Sequence, residues 1–197
     1  MRIDSHQHFW KRELGYYNWL TEDMGTLYQD FSPEDLRPYL KKSGIDKTIL
    51  VQAAPDIAET DYMLSLANNT DFIAGVVGWV NMQHTDAPYQ LARLSKNPHF
   101  KGVRPMIQDI VDDNWMLNQA LDPAFNALIQ LNLCFDALVK PRHLKQLLKL
   151  VNRYPALKIV IDHAAKPNIA GGEFEQWAQD IQALAEKPNV YCKLSGL

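Results

Sequence analysis

Seven short apolar runs, separated by amphipathic stretches, are the feature that most limits what this 197-residue chain can fold into. The runs are Arg2–His6, Lys47–Ala53, Phe72–Val80, Gly102–Ile107, Leu133–Val139, Leu157–Ile161 and Asn189–Leu194. They are short, apolar and partly β-branched, as strands buried on both faces must be. The stretches between them read as helices. Ser32-Pro33-Glu34-Asp35 combines an N-cap serine, a first-turn proline and acids at the positive end of the helix dipole, and Gly44 ends that helix. Thr60–Asn68 is the next helix, and Asp86 caps one that carries Leu91 and Leu94. Asp122-Pro123 opens a helix through Leu131. Leu144, Leu147, Leu148 and Val151 follow the i, i+3, i+4, i+7 rule, and Phe174, Trp177, Ile181 and Leu184 mark the last helix. A strand–helix repeat of about 28 residues means βα units on a parallel sheet.

Two architectures satisfy that pattern, a doubly wound open sheet and a closed (β/α)8 barrel. The first strand is not followed by the glycine-rich turn of a dinucleotide fold. Instead, polar residues collect at the C-terminal ends of the strands: His6 and His8, Gln52, Trp79, Arg104, His163 and Lys193. That is where a barrel keeps its chemistry. A closed barrel needs eight strands and typically about 250 residues. The expectation is therefore a single domain over residues 1–197, a (β/α)8 barrel truncated after about seven strands. It is either part of a longer protein or completed by a partner copy at its two open sheet edges.

Composition excludes several classes. Hydrophobic residues make up 47% and charged residues 22%, enough for one sizeable core. A net charge of −3, without a basic stripe, argues against nucleic acid as a partner. No apolar run approaches the roughly 18 residues of a membrane span, and the N-terminus enters a strand at once rather than a secretion signal. Cys134 and Cys192 lie in apolar runs as expected of buried thiols, which points to a reducing cytoplasm.

His6 and His8, in Ile3-Asp4-Ser5-His6-Gln7-His8-Phe9, are the most informative site residues. Positions i and i+2 of a strand share a face, so two imidazoles project side by side. Such a pair can hold one divalent metal or aim two nitrogens at one substrate oxygen.

Together with Val51-Gln52-Ala53, Gly75-Val76-Val77-Gly78-Trp79-Val80, Lys101-Gly102-Val103-Arg104, Ile161-Asp162-His163-Ala164-Ala165-Lys166-Pro167 and Cys192-Lys193-Leu194-Ser195-Gly196, this opening resembles the amidohydrolase-related lactonases across essentially the whole chain. That family includes L-fuconolactonase, L-rhamnono-lactonase and 2-pyrone-4,6-dicarboxylate lactonase. The resemblance implies the amidohydrolase barrel and a hydrolase of carbohydrate catabolism. Its substrate is a small lactone of a sugar acid or dicarboxylate, opened by water attack on the ring carbonyl. It implies His6, His8 and His163 as catalytic, with His6 and His8 as ligands if a divalent metal such as zinc is used; some members are thought to work without one. Arg104, Gln52 and Trp79 are then substrate-binding. The family also carries an aspartate in a Gly-Ser-Asp-Trp-Pro-like motif at its eighth strand, which this sequence lacks. Two alternatives stay open: a zinc-dependent decarboxylase or deacylase on the same barrel, and a catalytically inert fragment.

The remaining signals are double-edged. Arg104 suits a sugar-acid oxygen or pairs with an acid such as Asp109. Lys193 points inward or pairs with Asp162. Phe9–Asp30 is long for a βα connection and rich in aromatics, so it is a lid or a satellite apolar cluster. His84, His99 and His143 are expected at the surface.

Overall fold

A computed structural model describes residues 1–196. In chain order its strands and α-helices are β1 (Ile3–Gln7), α1 (Pro33–Ser43), β2 (Lys47–Val51), α2 (Ile57–Asn69), β3 (Ile73–Gly78), α3 (Ala87–Leu94), β4 (Phe100–Val103), α4 (Asp122–Gln130), β5 (Cys134–Ala137), α5 (Leu144–Arg153), β6 (Lys158–Ile161), α6 (Glu175–Ala185) and β7 (Val190–Cys192). Each expected strand and helix is present.

The chain divides into two compact units. The first comprises Met1–Val80 and Lys96–Lys101; the second comprises Asn81–Ser95 and the chain from Gly102 onward. In the first, β1, β2 and β3 are parallel neighbours in sequence order, and the Val76 N–H donates to the His99 carbonyl just ahead of β4. In the second, the end of β4 pairs with β5, β5 with β6 and β6 with β7, again all parallel. Strand β4 contributes its first two residues to one unit and its last two to the other.

Local chemistry explains the boundaries. Ser32 and Asp35 form the reciprocal N-terminal box of α1, with the Ser32 N–H and hydroxyl both donating to Asp35 Oδ2 at 2.8 and 2.6 Å. Gly44, at φ 65°, closes that helix and sends its N–H to the Leu40 carbonyl. Helix α2 starts three residues before the expected Thr60, because the Asp56 side chain caps the Ala58 N–H at 2.8 Å. Strand β4 lies earlier than expected: Pro105 offers no N–H to a ladder, and Ile107–Asp109 coils into a 3-10 turn. In α5 the buried positions are Leu144, Leu147, Leu150 and Val151, while Leu148 is only half-buried.

Buried polar side chains of α2 tie down strand ends in the first unit. Both Glu59 carboxylate oxygens accept backbone N–H groups beyond β2, Ala53 at 2.9 Å and Ala54 at 3.0 Å. The Thr60 hydroxyl accepts from the Trp79 N–H at 2.8 Å and donates to the Trp79 carbonyl at 3.0 Å, which fixes the end of β3. The long Phe9–Asp30 segment forms a satellite cluster. Its Trp10, Tyr17 and Leu20 pack with Ala53 and Ala54, flanked by Tyr16, Tyr28 and Phe31. The Trp19 indole N–H donates to the Ala53 carbonyl at 2.8 Å.

Three sequence expectations are corrected. His143 is fully buried, not at the surface. Its Nδ1 accepts the Lys140 N–H at 3.0 Å, the turn that precedes α5. Burial, reinforced by Arg142, holds its pKa below the usual histidine value. His99 is half-buried, and only His84 is exposed. Cys192 is exposed rather than buried. Among the described residues, no helix is long and apolar enough to cross a membrane.

Gly102 marks the closest backbone approach in the second unit. A Cβ built there would lie 2.3 Å from the Cys134 carbonyl oxygen of β5, a backbone atom that cannot swing aside. Gly102→Ala is expected to cost about 1–3 kcal/mol by overpacking, read as a lowered urea midpoint with an unchanged m-value.

Candidate active site

The first unit places His6 and His8 side by side, as strand alternation requires. Their rings meet edge to face, 4.9 Å apart, and the two Nε2 atoms are 3.2 Å from one another. His8 Nδ1 lies 2.8 Å from the carbonyl oxygen of Val51, the last residue of β2. A carbonyl only accepts, so His8 Nδ1 carries the proton and its Nε2 is the accepting nitrogen. With no metal, His6 supplies the Nε2–H between the rings. Both histidines are half-buried. A cavity of about 420 Å³ opens beside His8, between Gln7, Phe31, Asp35 and Tyr39. Gln52 is fully buried at the end of β2, its backbone N–H donating to the Val77 carbonyl at 2.8 Å. Trp79 is half-buried at the end of β3, on the Thr60 tether.

The second unit buries a charged chain at the ends of its strands. Arg104, 4% exposed beyond β4, reaches Asp162 Oδ2 with Nη1 at 3.4 Å. Lys193, beyond β7, places Nζ 3.1 Å from Asp162 Oδ1 and 2.6 Å from Asp136 Oδ2. Arg104 therefore pairs with Asp162 rather than Asp109. Lys193 is both inward and paired. Two cations and two carboxylates balance, which is the condition for burying them. Asp136 is nevertheless pushed up to about 6, because desolvation in β5 outweighs the nearby Lys193 charge. Sequence reasoning passed over Asp136. The signal was an acid in the middle of an otherwise apolar strand, Cys134-Phe135-Asp136-Ala137.

His163 follows Asp162 in an unusual turn. His163, Ala164, Ala165 and Lys166 all have positive φ, at 54°, 48°, 60° and 52°. Left-handed backbone costs an L-residue roughly 1–2 kcal/mol, so four in succession persist only where the surroundings impose them. The Trp177 indole N–H donates to the Ala164 carbonyl at 2.7 Å, and the Lys166 ammonium donates to Gln108 Oε1 at 2.5 Å. The His163 ring stands with Nδ1 2.9 Å from Ser195 Oγ and 3.1 Å from the Ser195 carbonyl oxygen.

The His6–His8 pair fits a divalent metal. Zinc takes imidazole nitrogens at about 2.0–2.1 Å in tetrahedral sets, which sets two such nitrogens about 3.3 Å apart. The observed 3.2 Å separation, and the carbonyl that fixes the His8 tautomer from behind, match that requirement.

A family model for amidohydrolases matches residues 3–197. The chain belongs to the amidohydrolase family. It is 50% identical over 196 residues to an L-fucono-1,5-lactonase of Burkholderia ambifaria, covering 100% of this chain and 68% of that protein. An L-fucono-1,5-lactonase of Burkholderia multivorans is 35% identical over 207 residues, with the same coverage. The crystal structure of an amidohydrolase from Burkholderia multivorans with bound zinc superposes with a TM-score of 0.93 at 32% identity, covering 100% of this chain and 70% of that one. The fold is thus that of the amidohydrolase (β/α)8 barrel, of which the described residues carry seven strands.

Two predictions follow from the geometry. Zinc added to the chain is expected to bind, and His8→Ala to weaken binding at least about tenfold in calorimetric titration; equal affinity would separate the pair from metal holding. The second concerns Asp136, whose folded pKa of about 6 lies above the ordinary carboxylate value near 3.9. Between those values the folded state binds a proton that the unfolded state does not. Asp136 therefore adds stability as pH falls from about 7 to about 4, where the effect is complete. The urea midpoint is expected to gain less over that range in Asp136→Asn than in the parent.

Proposed function

We propose that this protein hydrolyses a lactone of a sugar acid, with His6, His8 and His163 as its catalytic residues. The observation that carries the proposal is the His6–His8 pair, with Nε2 atoms 3.2 Å apart and one ring locked by the Val51 carbonyl. The identity of 50% to an L-fucono-1,5-lactonase along the whole chain supports that substrate class. The family model that matches residues 3–197 takes in all three histidines, which supports counting His163 with the pair.

Opening a lactone adds water across the ring ester. Water attacks the carbonyl carbon, the ring C–O bond breaks, the ring oxygen leaves as a hydroxyl, and the acid formed releases one proton at neutral pH. Charge builds on the carbonyl oxygen, and preorganised donors there lower the barrier most. His6 and His8 would hold the divalent ion, which when bound polarises that carbonyl. Without it, the His6 Nε2–H turns from His8 to hydrogen-bond the carbonyl oxygen. His163 assists the oxyanion. Arg104, Gln52 and Trp79 bind the sugar: Arg104 from a guanidinium oriented by Asp162, Gln52 from its buried seat, and Trp79 by its indole face. We read both units as one catalytic domain, because the family model spans both. We place it in the cytoplasm, in keeping with its two thiols.

The test is proton release from L-fucono-1,5-lactone by the purified chain in weak buffer. Turnover above the spontaneous rate is expected, falling by about 100-fold or more in His6→Ala. Full activity in His6→Ala would refute the assignment. Carbon dioxide release from an aromatic acid, without lactone turnover, would favour a decarboxylase.

A further inference from the structure

The segment after β7 lies along the strained turn that carries His163. The Lys193 N–H donates to the Ile161 carbonyl at 2.9 Å, and the Ala164 N–H donates to the Lys193 carbonyl at 3.0 Å. Two residues on, Ser195 presents both its hydroxyl and its carbonyl oxygen to His163 Nδ1. The next residue is Gly196, at φ 62°, where an added Cβ would stand 2.9 Å from His163 Nδ1 and 3.2 Å from Cγ. The imidazole therefore occupies space that any side chain at 196 would take.

We infer that Ser195 and Gly196 are positioning residues for His163: Ser195 keeps the ring proton on Nδ1, and the bare Gly196 leaves the ring its seat. The chemical argument rests on the carbonyl. An N–H can be shared between the Ser195 carbonyl and hydroxyl oxygens, but a bare Nδ1 lone pair would face the carbonyl oxygen with no proton between them. The neutral ring must then accept through Nε2. The first unit shows the same device, where the Val51 carbonyl assigns the proton of His8 to Nδ1. Histidines on two different strands are each set as Nε2 acceptors by a main-chain oxygen behind them. The left-handed turn gives the device its purpose. A ring on strained backbone is held by its contacts, and Ser195 and Gly196 supply those at its back edge.

This inference deepens the lactonase reading and rests on it for the use made of Nε2. Its test does not need turnover. Nitrogen-15 spectra of the chelator-treated full chain, with His163 assigned by comparison with His163→Gln, report which ring nitrogen carries the proton. His163 is expected as the Nδ1–H form. Ser195→Ala, which keeps the main-chain oxygen, is expected to retain that form, and Gly196→Ala, which pushes the ring off that oxygen, to shift it towards a mixture with the Nε2–H form. With lactone, Gly196→Ala is expected to lower kcat by about tenfold while KM stays within about twofold, as for residues that orient a catalytic imidazole. An Nε2–H ring in the parent, or an unchanged tautomer in Gly196→Ala, would overturn the inference. Should Gly196→Ala fail to fold, the tautomer of the parent decides alone. Shifted tautomers without turnover in the parent would sink the lactonase reading and leave the positioning role standing. Turnover with unmoved tautomers would do the reverse.

Discussion

Charge buried at the ends of parallel strands has to be neutralised where it lies, and the second unit is organised around that need. Arg104, Asp162, Lys193 and Asp136 come from β4, β6, β7 and β5 or the residues just beyond them, and each cation touches at least one acid. Removing one member would leave an uncompensated buried charge, the costliest defect an interior can carry. The network thereby couples four strand ends and holds Asp162, the residue before His163, from two sides.

The first unit secures its strand ends with hydrogen bonds to buried polar side chains instead. Glu59 and Thr60 are buried on α2, where apolar side chains would ordinarily sit, and each satisfies backbone groups beyond a strand. These contacts fix the backbone next to Gln52 and at Trp79. Rigid strand ends matter because a carbonyl-directed imidazole works only if the carbonyl does not move. The Val51 oxygen that orients His8 belongs to the last residue of β2, immediately ahead of the segment that Glu59 pins.

Much of this was legible in the chain. The 28-residue alternation, the Ser32–Asp35 box and the leucine rows of α5 are short-range signals, and the elements formed where those signals lie. The His6–His8 pair was legible too, since strand alternation alone puts i and i+2 on one face. Other features were not. A helix capped by Asp56, the early end of β4 before Pro105 and the burial of His143 each depend on which group is free to accept or donate once neighbours are in place. Asp136 stood in plain view in an apolar strand, but its partner is 57 residues away.

The amino-acid order by itself determined the βα rhythm, the family resemblance and the pairing of two imidazoles, because periodicity and spacing act over a few residues. Only the tertiary structure decided which main-chain oxygens face Nδ1 of His8 and His163, that Arg104 and Lys193 share Asp162, and that four residues after β6 are left-handed. Those outcomes depend on oxygens and charges brought in from distant strands. Hydrogen bonds and ion pairs act over a few ångströms of space, whatever the distance along the chain.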